Sequence, residues 1–395
     1  MRDDGSKLPF HFRYDGVSMV YTTEDSAKTP SQRPKFALAE IDAPRLDLAL
    51  VTAVVAAEDA LARLDERLRA SPLRDGFCAR THFSDACASL WLAGELVHLE
   101  DLVLHDAEMD LRTPTHELTR AHAVLRARRR IAGAPPGRFL GGGLDELRGK
   151  GETAAPEQPA AFPVADVDPL GEEFAAIDAA IERSSRLLRE APGAASPLIQ
   201  AATDPARTLI YDEDFDEAGR LADWRREVEA TRELPPTLAA ALALEAWRDT
   251  EPLEHQNWLG PLLVADLLRQ RGKALSHLPC LNVGLRATPR ERRQSQDRTT
   301  RIGAALDAIQ AAAQAGLEEL DRLALAEARF RRRCQKLKSN ARLPDLAEFV
   351  LSRPLVTAPM IARRLNVSAR AAQDMAPALG LRELTGRTRF RAWGA

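Results

Sequence analysis

At 395 residues the chain exceeds the size at which one hydrophobic core usually stops growing, and 45% apolar with 29% charged residues is the composition of a soluble globular protein of two or three domains. Aromatics are only 5% and the apolar content leans on Ala and Leu, which favours helix over sheet. No run approaches the roughly 18 apolar residues that a membrane span needs, and the opening MRDDGSKLPF lacks the apolar region of a secretory signal, so the chain is expected to stay in the cytosol.

Four cysteines (Cys78, Cys87, Cys280, Cys334) without a C-x-x-C pair make neither a disulfide framework nor a redox motif. The net charge of −3 is unevenly spread: residues 329–395 hold fifteen Lys/Arg against four acidic residues, a net +11, which leaves −14 for the remainder. A basic end on an acidic body points to a polyanion-binding module on a soluble carrier, because phosphate neutralisation dominates non-specific nucleic-acid affinity.

Residues 1–40 are polar and turn-rich, with a short β-like stretch at 17–22, and read as an arm. In the helical region 41–132 the run LALVTAVVAAEDALARLDERL repeats apolar residues at three and four and predicts an amphipathic helix; further helices are expected over 85–108 and 116–131. From 133 to 169 the pattern gives way to Gly, Pro and Ala, which predicts a flexible linker. Helical periodicity resumes over 172–190, 217–229, 237–247 and 258–271. A helix without internal Pro then follows over 300–337, either a spine or a dimerisation helix, and closes a helical core of 170–338.

The terminal segment 339–395 is legible piece by piece. A first helix at 344–352 starts at Pro344 and stops before Pro354. A second, 358–365, has Thr357 as N-cap, and Asn366-Val367 makes a tight turn. Ser368 caps a third, 369–379, with Pro377 expected to kink or shorten it, and Gly380 ends it. Two short strands, 381–384 and 389–393, flank the tip Thr385-Gly386-Arg387-Thr388.

The string IARRLNVSARAAQDMAPALGLRELTGRTRFRAW resembles the winged helix-turn-helix of bacterial regulators, in which the third helix reads bases and the wing touches phosphate. The resemblance implies double-stranded DNA as partner. It places Ser368, Arg370, Ala371 and Gln373 at the bases, and Arg387, Arg389 and Arg391 at the backbone, with Arg363, Arg364 and Thr388 completing the set. The alternative is a protein-docking module. Basic residues on the third helix, the wing and the preceding RFRRRCQKLKSNAR run weigh against it.

The body resembles the Fic family, whose members often carry a terminal winged helix and transfer AMP to hydroxyls. DACASLWLAGELVHLEDLVLHDA, with Ser89 and Gly94, is similar to that family's inhibitory-helix region, with Ala93 where the family has Glu. LEHQNWLGPLLVADLLRQRGKALSHLPCL is similar to its active-site loop and following helix, Gly260, Leu262, Leu263, Val264, Leu267, Leu268 and Gly272 fitting. The catalytic positions depart: Thr250 stands at the His base, Trp258 and Pro261 at the Arg positions, with His255 and Asn257 nearby as a shifted motif. The pairing is similar to a catalytically degenerate, Fic-related family of unknown function from rhizobia and related alphaproteobacteria.

The clusters Glu95/His98/His105, read on one helix face, and Cys78/His82/Cys87 lack the spacing of a zinc motif, and no P-loop, G-x-G-x-x-G or G-x-S-x-G occurs. The expectation is a mainly α protein without cofactor or metal. It consists of a helical Fic-like body, able to dimerise or bind a partner, and a winged helix with a small β-hairpin that binds DNA as a nucleoid-associated regulator. The open alternatives are a Fic-type AMP-transferase and a docking scaffold.

Overall fold

The computed structural model describes residues 47–110, 113–148, 215–336, 342–384 and 391–395. The expected arm, the 172–190 helix, most of the linker and the hairpin tip lie outside the described residues. The body comprises α1 (Leu48–Arg69), α2 (Arg74–Leu92), α3 (Leu99–Asp106), α4 (His116–Gly133), α5 (Arg138–Gly141), α6 (Leu144–Arg148), α7 (Glu217–Ala230), α8 (Pro236–Thr250), α9 (Leu259–Gln270), α10 (Leu281–Ala287), α11 (Arg290–Arg293) and α12 (Arg298–Lys336). The terminal part follows as α13 (Leu343–Leu351), β1 (Val356–Thr357), α14 (Ala358–Leu365), α15 (Ala369–Leu379), β2 (Arg382–Glu383) and β3 (Ala392–Gly394). The protein is mainly α, as its composition predicts, and none of the described helices is long and apolar enough to cross a membrane.

Local chemistry sets the helix starts. Asp47, Thr115 and Asp216 accept hydrogen bonds from the backbone N–H of Ala49 (3.1 Å), Leu118 (3.3 Å) and Gly219 (2.8 Å), and α8 opens on Pro236. The 39-residue α12 is the spine. Its apolar stripe, including Ile302, Leu306, Ile309, Ala313, Leu320 and Leu323, is buried against α1, α8 and α10 of the same chain. Gly284 lets α10 approach it closely: a Cβ there would lie 1.9 Å from the Ala308 carbonyl oxygen. On the far side of α8, the Trp224 and Trp247 rings meet edge to face at 5.0 Å, and the Trp224 indole donates to the Ala243 carbonyl at 3.0 Å.

Two expectations change. The single helix read over 85–108 is two, because Gly94, at φ +84°, turns the chain after α2. The stretch read as a linker is packed over its described part, up to Arg148. Asp266, fully buried, accepts from the Gly137 N–H at 3.1 Å. Arg269 reaches the carbonyls of Ile131 (2.8 Å), Ala132 and Ala134 at the end of α4, and Phe139, Leu140, Leu144 and Leu147 are buried. Gly and Pro marked its turns correctly, but the few apolar residues between them sufficed to anchor it.

The regions on either side of the presumed linker share one core. Asp85 on α2 and Arg128 on α4, both fully buried, pair at 2.5 Å. Asp85 also accepts from the Asn282 side chain (2.8 Å) and the Val283 N–H (3.1 Å) in the first turn of α10, and Arg128 donates to the Leu278 carbonyl (3.2 Å). Removing one member leaves the other charge buried and unpaired. Asp85→Ala is therefore expected to lower stability by about 3–5 kcal/mol, read as a fall in the urea midpoint, and Arg128→Met in the same chain should restore part of the loss.

Candidate nucleic-acid interface

The terminal part is built on two helices in sequence. Thr357 accepts from the Met360 N–H (3.4 Å) to start α14, and Asn366 ends it in the left-handed conformation, φ 52°. Ser368 then accepts from the Ala371 N–H (3.2 Å) to start α15. Ile361 and Leu365 of α14 are buried with Ala372, Met375, Ala376 and Leu379 of α15 and with Leu346 and Val350 of α13. That packing fixes which side of α15 remains outside. Arg370, Gln373, Asp374 and Pro377 are exposed at a three-four spacing, one stripe of the helix.

Pro377 does not shorten α15, which runs on to Leu379. Its missing N–H falls in the last turn, opposite the carbonyl of exposed Gln373, where water can substitute. Behind α15, β1, β3 and β2 form a three-stranded antiparallel sheet in the order β1-β3-β2, with Val356 opposite Trp393 and Arg382 opposite Gly394. The sequence anticipated β2 and β3 but not β1, whose two residues are too few for a period.

Of the residues expected at the interface, Arg363, Arg364, Ser368, Arg370, Gln373 and Arg391 are exposed; Ala371 is half-buried at the edge of the stripe rather than on it, because its neighbour Ala372 faces the core. Arg387, Thr388 and Arg389 lie outside the described residues. Arg391 faces Glu383 across the strand pair at 3.8 Å. Two residues belong with the set although the sequence reading passed them over: Arg382, exposed on β2, and Asp374 on the α15 stripe, a hydrogen-bond acceptor suited to a cytosine amino group. Among the described residues Arg363, Arg364, Arg370 and Arg382 have no ion pair or hydrogen bond from their side chains.

The basic run before this part is not uniformly free. Arg331 pairs with Glu327 within α12, while Arg333 crosses to α15, donating to the Ala378 carbonyl (3.4 Å) beside Gly380. A cation at a helix C-terminus opposes the partial negative charge there. On the other flank, Arg80 of α2 pairs with Glu319 at 2.8 Å and donates to the carbonyls of Val350 (3.4 Å) and Arg353. Arg353 in turn lies 3.6 Å from Asp106. Burial pushes the Asp106 carboxyl up, but hydrogen bonds from His122 and Arg129 outweigh it and hold the group well below the carboxylate range.

The histidine and cysteine clusters come apart. Glu95 and His98 lie in the loop between α2 and α3, not on a helix with His105; Glu95 pairs with Arg120, and His105 with Asp110 at 2.7 Å. Burial pushes the thiols of Cys78 and Cys87 up to about 11, and burial with the nearby Arg128 and Arg129 pushes His82 down to about 3. Among the described residues no group of three or more His, Cys, Asp or Glu is placed to hold a metal ion.

In the body, a cavity of about 700 Å³ is lined by Ser89, Ala93, His116, Arg120, His255, Asn257, Trp258 and Pro261, among others. The N-terminus of α9 opens towards it. The first two amides of that helix are already engaged, Leu259 with the Gln256 carbonyl (2.9 Å) and Gly260 with that of Asn257 (3.2 Å), and Pro261 has no N–H. Thr250 closes α8, its hydroxyl donating to the Ala246 carbonyl at 2.8 Å.

Comparison with known proteins divides the chain at the same place. Residues 209–335 match the family described as "Protein of unknown function (DUF1612)", and residues 343–395 match an HTH DNA binding domain. The uncharacterized protein y4cF of Sinorhizobium fredii (strain NBRC 101917 / NGR234) is 44% identical over 356 residues, which cover 84% of this chain and 93% of that protein.

Gly380, at φ +78°, ends α15 with the Leu381 N–H bonded to the Ala376 carbonyl at 3.0 Å, and a Cβ there would lie 2.6 Å from the Arg333 guanidinium carbon. Gly380→Ala is therefore expected to destabilise the terminal part by about 1–2 kcal/mol, seen as faster amide exchange in α15 with the body unchanged.

Proposed function

The chain belongs to the family of the Sinorhizobium fredii y4cF protein and carries a helix-turn-helix DNA-binding domain, and we propose that it is a transcriptional regulator that reads duplex DNA through a winged helix-turn-helix. The observation that carries this reading is the set of four exposed arginines, Arg363, Arg364, Arg370 and Arg382, without a side-chain partner among the described residues, around an exposed stripe of α15. Cations that no acid among the described residues engages are available to phosphate. In this reading α15 enters the major groove, with Arg370 and Gln373 at base edges. Arg363 and Arg364 at the end of α14 hold the backbone, and the β2–β3 hairpin, with Arg387, Thr388, Arg389 and Arg391, is the wing.

The body is, in the same proposal, a Fic-like scaffold without nucleotide chemistry that serves for partner binding or dimerisation. Its support is the start of α9. Pro261 and the two engaged amides leave no cradle of N–H groups for phosphate there, and Thr250 and Trp258 supply neither a base nor a guanidinium.

Genomic fragments captured by the full-length chain provide the site on which the DNA reading is tested. Arg370→Ala and Gln373→Ala should each cost about 1–3 kcal/mol on that site and little on random DNA. Arg363→Ala or Arg364→Ala should instead weaken binding to all sequences and flatten the slope of log K against log salt by about 0.9 per lost phosphate contact. Identical behaviour of all four variants, or no DNA binding at low salt, favours a protein-docking module. For the body, incubation with labelled ATP should label neither the chain nor added proteins; labelling abolished by His255→Ala would establish a Fic-type transferase.

A further inference from the structure

A second cavity, of about 350 Å³, lies where the body meets the terminal domain. Its volume is in the range of small-molecule sites. Leu61 and Leu64 of α1, Phe77 of α2, Val283 of α10 and Ala313 of α12 supply apolar wall. Thr81, Ser84, Cys280 and His277 add polar atoms to it. His277 is 3% exposed, packs edge-on against Phe77 at 6.2 Å, and sets its Nδ1 3.4 Å from the Asp65 carboxylate, while its Nε2 has no hydrogen bond among the described residues. A buried ring nitrogen without a partner is costly unless something meets it.

The charged lining has a different character. Arg80, Arg286 and Arg322 stand there against a single acid, Glu319. Glu319 is already shared, with Arg80 at 2.8 Å and Arg322 at 3.0 Å, and Arg80 spends its remaining reach on the carbonyls of Val350 and Arg353. Arg286 is exposed and has no ion pair or side-chain hydrogen bond among the described residues. The cavity thus combines a largely apolar wall with one ring nitrogen, His277 Nε2, and one guanidinium, that of Arg286, neither of which has a partner among the described residues.

We propose that this cavity is an effector site for a small apolar carboxylic acid. The carboxylate takes the fork of Arg286, which matches it in shape and charge. The hydrocarbon or ring fills the space between α1, α2 and α12. His277 offers its Nε2 to a polar atom of the ligand. Apolar walls of this size disfavour a polyphosphate, and a neutral hydrocarbon leaves the excess of guanidinium unanswered. Arg80 gives the site its consequence, since the side chain at the cavity also holds the end of α13. Occupancy is therefore felt at residues 350–354. The inference does not depend on what the terminal domain binds.

The test is calorimetric titration of the full chain with benzoate, 4-hydroxybenzoate and octanoate, beside benzamide and octanamide. At least one acid should bind, with its amide at least tenfold weaker. Arg286→Gln should lower the acid's affinity about tenfold, and Ala315→Phe, at a half-buried position on the cavity wall, should abolish binding. Arg286 is exposed, so its variant keeps the fold and remains informative if Ala315→Phe does not. Hydrogen exchange at 350–354 should change when the acid is bound. No acid binding at millimolar concentration, equal binding of acid and amide, unaltered affinity in Arg286→Gln, or binding that leaves exchange at 350–354 untouched overturns the proposal.

Discussion

Arg128 and Asp85 meet at 2.5 Å with no exposed surface on either side chain, and three segments distant in sequence converge on them. Arg128 belongs to α4, Asp85 to α2, and the groups that add to their hydrogen bonding, Asn282, Val283 and the Leu278 carbonyl, belong to the first turn of α10 and the segment leading into it. A buried charge pair is tolerable only when most of its remaining donors and acceptors are met, and here backbone groups before and at the start of α10 meet several of them, while Arg128 Nε has no partner among the described residues. α10 then lies against the α12 spine through Gly284, so the pair helps set where the spine runs.

The spine carries that order to the terminal domain. Arg333, near its end, reaches the last turn of α15, and Glu319, halfway along, holds Arg80, which reaches the carbonyls at the end of α13. Arg353 and Asp106 add a third link, in which Arg129 and His122 keep the carboxylate charged. These fasteners, side chain to backbone or charge to charge, act beside apolar packing, since the buried residues of the body and of the terminal domain form one continuous cluster.

Within the terminal domain, local rules were legible because they act over three or four residues. Thr357, Asn366, Ser368 and Gly380 each do what their side chains or backbone freedom dictate, and α14 and α15 have the boundaries expected of them. Pro377 shows where such a rule stops: its penalty depends on whether the orphaned carbonyl is buried, and exposure cannot be known from the residue alone. Ala371 shows the same on a finer scale, since one position of rotation separates the exposed stripe from the core.

Sequence by itself determined the helical class, the start and end of most helices, the charge segregation and the layout of the terminal domain, because periodicity, capping and composition are properties of contiguous residues. Tertiary structure decided what depends on residues far apart. It alone packed the Gly- and Pro-rich residues 133–148 through Asp266 and Arg269, and it separated Glu95 and His98 from His105 by breaking the chain at Gly94. It took Arg333 out of the basic run to cap α15, and it brought Arg80 and Arg286 to one cavity beside His277. Each of these brings a charge or a polar group to residues outside its own helix or turns a segment by one backbone angle. No local pattern encodes either, because burial and partner identity exist only once the core has formed.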